Sequence, residues 1–341
     1  MSKHDIKEEH IKHSIDDLIT LAGGNAETLE GQFIAQIIET SLKLVDEGHD
    51  TGQLKLISRS LKELRYAYRV FNAYKGVRRI SIFGSARTSE DHPDYLAAKK
   101  FSEGIANHEW MCITGAANGI MKAGLEGASR ESSFGLSIRL PFEVPTNTVI
   151  EGDPKLIVFR YFFTRKLMFM SHSDAVAVFP GGVGTLDELF EVLTLIQTGK
   201  SNIIPVVLME GESGVYWKNW KHYLQEHLLA NGWISKSDLN LFYMATSYQD
   251  GVDHILKFYR RYHSSRYVDD MLVVRMLEPI TAKQIALLNK KFSFLVESGK
   301  IEASGPLPGE SDHLHLPRLV FHHIRSDFGG VRALIDAIND F

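Results

Sequence analysis

The sequence lacks the features that mark disulfide-rich, membrane-spanning or nucleic-acid-binding proteins. Its 341 residues include one cysteine, Cys112, which excludes an internal disulfide. No apolar run is long enough to cross a bilayer, and the N-terminus MSKHDIKEEH is too polar for a signal peptide. Lysine and arginine number 38 against 42 aspartates and glutamates, so no excess positive charge favours nucleic acid or an anionic membrane. We therefore expect a cytoplasmic globular protein with neither kind of partner.

The sequence also lacks a complete metal-binding pattern. Histidines concentrate near the C-terminus, at His313, His315, His322 and His323. A His-x-His pair on a strand places both rings on one face, but no cysteine or matched carboxylate pattern completes a zinc site. We expect no metal, and no residue pattern requires a cofactor.

Short apolar segments alternate with amphipathic segments through the middle of the chain. This pattern predicts helices between most of the strands, including 95–108, 120–129, 217–229 and 250–262, and it predicts strands at 79–83, 110–114, 134–140, 155–159, 174–179 and 203–208. Strands that alternate with helices indicate a parallel sheet with right-handed crossovers. The predicted fold class is α/β, a Rossmann-like doubly wound parallel sheet.

The segments on both sides of this sheet differ from it in character. Residues 1–76 predict a helical N-terminal segment, and residues 263–341 predict a small α+β appendage, which leaves 77–262 as the Rossmann-like nucleotide-binding and catalytic domain. We interpret the basic amphipathic helix expected at 54–74 as a cover for the sheet or an oligomer contact, because membrane helices usually have a stronger cationic face. In the appendage we expect strands at 271–276, 300–303 and 318–322 and helices at 281–298 and 330–338.

Loops rich in small residues follow several of the predicted strands. They read GSAR at 84–87, GAANG at 115–119 and PGGVGT at 180–185, with PFE at 141–143 after the third strand. Ligands of open parallel sheets bind beyond the carboxyl ends of the strands. The convergence of these loops predicts a nucleotide or phosphate pocket.

The glycine-rich turn after the strand at 174–179 predicts an anion site. Gly181, Gly182 and Gly184 permit a tight turn before a helix that we expect to open near Thr185. Free N–H groups and the positive dipole end at a helix start attract anions, and phosphate is the expected ligand. Helical spacing places on one face Leu186, Leu189, Phe190, Leu193 and Gln197.

Three well-known motifs resemble this turn, and none of them fits. A dinucleotide fingerprint needs a small residue where Asp187 stands. A Walker loop that includes Lys200 would need its first glycine at Thr194. A nucleophile elbow requires a serine, which the turn lacks.

Three charged residues flank the turn. Arg165 and Lys166 interrupt an apolar, aromatic helix before the strand, and Glu188 lies in the first turn of the helix after it. Taken singly, each favours a structural interpretation, because an acid complements a helix dipole and long cations extend from apolar helices to water.

The sequence PGGVGTLDE at 180–188 resembles the PGGxGTxxE motif of the Lonely Guy (LOG) family, and Arg165 and Lys166 match the Arg-Lys pair that precedes it. Members of this family, once described as lysine decarboxylases, are phosphoribohydrolases that cleave the N-glycosidic bond of nucleoside 5′-monophosphates such as AMP and cytokinin nucleotides. The resemblance implies that Arg165 and Glu188 are catalytic. It implies substrate or phosphate binding by Lys166, Gly181, Gly182, Gly184 and Thr185.

The resemblance extends over residues 79–210. GSAR is similar to the family's first-strand loop, TGAANGIMKAG to its TGGGPGxMxA segment, and the region around PFE to longer members. The further substrate-binding residues that it implies are Gly84, Ser85, Gly115, Asn118, Gly119 and Glu143. The chain departs from the family at Ala116, Ala117 and Asn118, where alanine narrows the room near the ligand and restricts positive φ. The family also implies a homo-oligomer with sites near the subunit interface.

Two functions stay open at this point. The first is hydrolysis of a purine nucleoside 5′-monophosphate to free base and ribose 5-phosphate, with a carboxylate near C1′ to stabilise oxocarbenium-like charge. The second is a non-catalytic nucleotide-binding sensor, suggested by the alanines at 116 and 117 and by the extra regions at both ends. Pyridoxal-dependent decarboxylation does not fit, because Lys166 is the one lysine near the site and nothing beside it resembles a cofactor-anchoring set.

Overall fold

The structure is a computed structural model that describes residues 3–141 and 147–341. The chain divides into two compact units, with the division between Arg65 and Tyr66. The domain boundaries expected after residues 76 and 262 stay predictions. No helix within the described ranges is both long and apolar enough to span a bilayer.

The first unit is helical, as the sequence predicts. It contains α1 (Lys3–Leu21), α2 (Leu29–Lys43) and the first part of α3 (Thr51–Asn72). Thr28 caps α2, because its side-chain oxygen accepts a hydrogen bond from the backbone N–H of Gly31. The helical segment of the predicted fold class is therefore confirmed.

The second unit is built on a parallel sheet. Its strands are β1 (Arg79–Phe83), β2 (Met111–Thr114), β3 (Ser133–Ile138), β4 (Leu156–Phe159), β5 (Ala175–Val178), β6 (Val206–Leu208) and β7 (Tyr243–Met244). Within the described residues these seven strands are paired in the order β4-β3-β2-β1-β5-β6-β7, and every neighbouring pair is parallel. β6 is shorter than the predicted strand at 203–208, and β7 was not predicted because two residues give no measurable periodicity.

Helices cover both faces of this sheet, which confirms the doubly wound fold. They are α4 (Pro93–Ala106), α5 (Ile120–Ala128), α6 (Phe162–Ser171), α7 (Val183–Gln197), α8 (Tyr216–Tyr223) and α9 (Tyr248–Phe258). One face of β1 presents Ile80 and Ile82 to a core shared with α4, α5 and α9. The other face presents Phe83 to Phe169 of α6, with the ring centroids 4.9 Å apart. The predicted helix at 217–229 is α8 followed by a π-helical segment at 224–229.

The C-terminal appendage is an antiparallel sheet with helices, as predicted. It contains β8 (Tyr262–Val268), β9 (Met271–Met276), α10 (Ala282–Phe292), β10 (Val296–Ser304), β11 (Arg318–His323) and α11 (Phe328–Asn339). The strand order is β10-β11-β9-β8. Two boundaries were wrong: the helix expected at 250–262 ends at Phe258, and the helix expected at 281–298 ends at Phe292. In both cases the last predicted helical residues belong to the next strand, because sheet pairing overrides local helix propensity.

A buried ionic network holds this second sheet together. The Glu310 side chain is fully buried, and its Oε1 lies 2.7 Å from Nη2 of Arg275 while its Oε2 lies 3.3 Å from Nε of Arg318. Burial alone would raise the pKa of Glu310, but the backbone N–H of Leu307 and the two guanidinium groups hold it below its usual value. The carboxylate therefore stays charged between two buried cations.

Glu310→Gln should lower the free energy of unfolding by about 3–5 kcal/mol, because it leaves two arginines without their shared buried counter-charge. Urea denaturation measures the change. Glu302→Gln on the same sheet is the matched control: Glu302 lies 3.3 Å from Lys300, but both side chains are exposed, so its loss should cost less than about 1 kcal/mol. Equal losses in the two variants would contradict the structural importance of the network.

Candidate functional site

A cavity of about 660 Å³ opens at the point where the strand order reverses, between β1 and β5. The loops that follow β1, β2 and β5 contribute to its lining through residues 84–87, 115–117 and 182–185. The two halves of the sheet wind in opposite directions from this point, so no crossover helix covers the crevice. The cavity therefore lies where the sequence predicted the loops to converge.

The glycine turn has two kinds of glycine. A side chain on Gly181 would collide with Thr185, whereas Gly182 and Gly184 face open space and line the cavity. The carbonyl of Gly181 accepts a hydrogen bond from Tyr216 Oη at 2.7 Å, and the carbonyl of Pro180 accepts one from Ser85 N at 3.1 Å. Gly181 thus fixes the turn against its neighbours, while the other two glycines leave room for a ligand.

The helix after the turn begins earlier than predicted. α7 starts at Val183, with Gly182 as its N-cap, rather than near Thr185. Its first N–H groups, which have no partners inside the helix, therefore lie beside the cavity. Along this helix Phe190 is exposed, and the buried residues are Thr185, Glu188, Leu189, Val192 and Ile196.

The loop after β2 adopts an uncommon backbone conformation. Ala116 has φ of +61°, a left-handed value that costs a non-glycine residue roughly 1–2 kcal/mol. Asn147 supports the loop, because its backbone N donates to the Ala116 carbonyl at 3.0 Å and its Nδ2 donates to the Ala117 carbonyl at 2.9 Å. The sequence indicated that alanine would restrict positive φ here, and the structure shows that Ala116 adopts it nonetheless. Both alanines line the cavity.

A buried pair of opposite charges lies against the cavity. Nη2 of Arg165 is 3.7 Å from Oε1 of Glu188, and the two side chains are 13% and 11% exposed. The guanidinium lies over the rings of Phe162 and Phe169, and its Nε has no hydrogen-bond partner in the part of the chain that the structure describes. A buried donor without a partner is rare and leaves Arg165 able to bind an additional acceptor.

The carboxyl group of Glu188 has a pKa near neutrality, so it can act as an acid or a base at that pH. Burial raises its pKa to about 7, although the nearby positive charges of Lys166 and Arg165 lower it and so limit the shift. A carboxyl group with a pKa near 7 in a cavity is suited to proton transfer or to stabilisation of developing positive charge.

Lys166 does not line the cavity but pairs with two acidic residues of α7. Its Nζ is 2.7 Å from carboxylate oxygens of both Asp187 and Glu191. Burial lowers the pKa of Lys166, but the hydrogen bonds to these two acids outweigh it and raise the pKa overall. Lys166 therefore links α6 to α7 through ion pairs and is not part of the cavity wall.

The predicted site residues fall into three groups. The structure does not describe Glu143, which lies outside residues 3–141 and 147–341. Those that do not line the cavity are Asn118, Gly119, Lys166 and Gly181. Those that line it together are Gly84, Ser85, Gly115, Arg165, Gly182, Gly184, Thr185 and Glu188. Gly119 supports the lining loops, because its φ is +63° and a side chain there would collide with Ser85.

Several cavity residues were missed from the sequence. Arg87 belongs to the recognised GSAR loop and lines the cavity, and its side chain has no ion-pair partner among the described residues. Arg87 could have been identified from the sequence, because it is a basic residue in a loop of small residues at the end of a strand. The aromatic and apolar members gave no such signal, because they resemble ordinary core residues: they include Phe83, Met121, Phe162 and Phe169.

The described residues contain no group of three or more histidine, cysteine, aspartate or glutamate side chains that could hold a metal ion. The C-terminal histidines have other partners. Nδ1 of His322 is 2.8 Å from Ser298 Oγ, and Nδ1 of His323 is hydrogen-bonded to the Tyr267 hydroxyl at 2.6 Å.

Comparisons with known proteins agree with the motif. Residues 114–255 match the family model described as "Possible lysine decarboxylase". A probable cytokinin riboside 5′-monophosphate phosphoribohydrolase from Oryza sativa subsp. japonica is 27% identical over 174 residues, which are 50% of this chain and 72% of the rice protein.

Solved structures similar to this chain include two molybdenum cofactor proteins. A molybdenum cofactor binding protein from Rippkaea orientalis is 19% identical with a TM-score of 0.39, and the match covers 53% of this chain and 97% of that chain. The molybdenum cofactor carrier protein from Chlamydomonas reinhardtii is 20% identical with a TM-score of 0.38 and the same coverage, 53% and 97%.

The family model spans the glycine turn and the charged residues beside it. With the PGGVGTLDE motif and the Arg-Lys pair before it, the family match and the rice relative support the resemblance of this chain to the Lonely Guy (LOG) family.

Proposed function

We propose that this protein hydrolyses the N-glycosidic bond of a purine nucleoside 5′-monophosphate, such as AMP or a cytokinin nucleotide, and releases the free base and ribose 5-phosphate. The name of the rice relative describes a phosphoribohydrolase of this class. The observation that carries the proposal is the buried Arg165–Glu188 pair beside an open helix N-terminus, with both features on one cavity.

The 5′-phosphate would bind at the start of α7. Gly182 and Gly184 leave open space there, and the unpaired N–H groups of the first helical turn point outward with the positive end of the helix dipole. Arg87 supplies a positive charge at the same cavity. Binding of the phosphate at a fixed point would orient C1′ of the ribose and use remote binding energy for catalysis.

Glu188 would act at C1′ of the ribose. Cleavage of the N-glycosidic bond develops positive charge on the sugar, and a nearby carboxylate stabilises that charge and can deprotonate the attacking water. In the overall reaction water adds its hydroxyl to C1′, and the base leaves with the bonding electron pair and accepts a proton. Arg165, with its unused Nε, would hold the nucleotide and Glu188 in register.

Glu188→Gln should reduce the release of free base from AMP by about 10²- to 10⁴-fold, because the amide neither stabilises positive charge nor accepts a proton. Chromatography of the base from a panel of nucleoside monophosphates measures activity and ranks substrates. The control is Glu226→Gln, an exposed glutamate outside the cavity lining, which should retain activity within about threefold.

A contrary result would favour a sensor. If wild type releases no base from any monophosphate while AMP still raises its melting temperature, the protein binds nucleotide without turnover. The methyl groups of Ala116 and Ala117 in the cavity wall favour that alternative over hydrolysis.

The value of kcat/KM should rise with pH through about 7 and level off only above it, because the carboxylate form of Glu188 is the active one and its pKa in the free enzyme is about 7. Lys166→Met should move this rise to higher pH, since the lysine charge lowers the pKa of Glu188. Lys218→Met, an exposed lysine on α8, should leave the profile unchanged. An identical profile in the Lys166 and Lys218 variants would contradict the assignment.

Gly184→Ala should raise the KM for AMP roughly tenfold while leaving the melting temperature almost unchanged, because its methyl group enters open space in the cavity. Gly181→Ala should instead lower the melting temperature, since its methyl group collides with Thr185. Thermal melts and steady-state kinetics of both variants separate the two glycines. If Gly181→Ala raised the KM and Gly184→Ala lowered the melting temperature, the proposed role of Gly184 in leaving room for the phosphate would be contradicted.

A further inference from the structure

A second cavity, of about 920 Å³, lies at the opposite edge of the main sheet. Its lining includes the residues before β1, the segments before β5 and β6, and β8 of the appendage. It is therefore separate from the first cavity, which lies at the carboxyl ends of the same strands. Cavities of this size accommodate ligands as large as a nucleotide.

Positive charge dominates the lining of this second cavity. Arg78, Arg79, Lys200 and Arg266 line it, against a single described carboxylate, Asp174. This concentration contrasts with the chain as a whole, whose net charge is −4. A concave surface with an excess of one charge attracts ligands of the opposite charge.

Asp174 and Arg266 already have polar partners, whereas two other cations of the cavity lack an ion-pair partner among the described residues. Asp174 accepts a hydrogen bond from the backbone N–H of Arg79 at 2.8 Å, and Arg266 pairs with Asp312 at 3.0 Å. Lys200 and Arg78 have no ion-pair partner in residues 3–141 and 147–341.

Aromatic packing holds Arg78 in place. Its guanidinium carbon lies 3.6 Å from the centroid of the Tyr259 ring, and it also lies over Trp110. This contact fixes the side chain, and no carboxylate in the described residues forms an ion pair with it, although the charge of Arg78 limits the rise that burial causes in the pKa of Asp174. The arginine is therefore positioned in advance for an anionic ligand.

A rigid turn positions Lys200. Gly199 has φ of +67°, and a side chain there would collide with the Phe328 ring of α11. The turn between α7 and β6 therefore packs closely on the appendage, which limits where the Lys200 backbone can lie. Ser201 and Ser264 also line the cavity, where their hydroxyl groups are hydrogen-bonded to the Asn202 carbonyl and to Nδ1 of His263.

The titration of His263 agrees with a positive field in the cavity. Burial lowers its pKa, and the neighbouring charges of His313, Arg78 and Arg275 lower it further. A histidine whose protonation is opposed by several cations reports a local excess of positive charge.

We propose that this second cavity binds a nucleotide-sized small molecule that carries phosphate groups, with Lys200 and Arg78 as the residues that contact the phosphates. The size of the cavity and its excess of positive charge fit such a ligand, and the proposal does not depend on the reaction at the first cavity.

Titration calorimetry of the full-length protein with ATP tests this proposal. Wild type should show saturable binding, and Lys200→Ala and Arg78→Ala should each weaken it roughly tenfold, the effect of one charge-assisted hydrogen bond. Lys218→Ala removes the same charge from an exposed site outside both cavities and should change the affinity less than about twofold.

A variant of the first cavity completes the design. Gly184→Val fills open space at the start of α7 and should leave binding at the second cavity unchanged. The proposal is overturned if wild type shows no saturable binding at roughly millimolar ATP. It is also overturned if Lys200→Ala binds like wild type, or if Gly184→Val loses the binding that Lys200→Ala retains. Because Lys200 is exposed, its variant is expected to fold normally.

Discussion

The reversal of strand order between β1 and β5 is the constraint on which the rest of the site depends. Parallel strands place all their carboxyl ends at one edge, and the reversal leaves a crevice at that edge that neither set of crossover helices fills. The loops after β1, β2 and β5 are brought together there although they are separated by up to about a hundred residues in the sequence. The glycine turn can contact a ligand because it lies at this crevice. The same turn elsewhere in the fold would be an ordinary helix start.

The ion pairs at and near the cavity differ in how closely their charged groups approach each other. Arg165 and Glu188 face each other at a distance that leaves space for further partners, whereas Lys166 is held tightly by Asp187 and Glu191. Arg165 and Glu188 are desolvated, so burial makes the charged form of each side chain costly. The charge of Lys166 limits the resulting rise in the pKa of Glu188. A carboxyl group that titrates near neutrality is the result of this balance between burial and neighbouring charge.

The sequence allowed the sheet and the glycine turn to be predicted because both rest on local signals. Buried strands such as Ala175–Val178 are short apolar runs, and the glycines and the Arg-Lys pair stand in a recognisable order. β8 was missed because its sequence, YHSSRYV, has polar residues in the middle, several of which line the second cavity. The burial of Thr185 and Glu188 was not apparent from the sequence, because these two polar residues line the cavity rather than an apolar core. The left-handed conformation of Ala116 depends on Asn147, about thirty residues later, and no local pattern reveals such a support.

The fixed length of α7 has a consequence of its own. This helix starts at the first cavity and, fifteen residues later, leads into the turn that carries Lys200 at the second. A helix advances about 1.5 Å and turns about 100° with each residue. One residue inserted or deleted between Leu189 and Gln197 would therefore rotate the Gly199 turn by more than a quarter of a circle relative to Glu188. The number of residues between Glu188 and Lys200, and not only their identity, therefore determines how the two ends of α7 are oriented toward the two cavities.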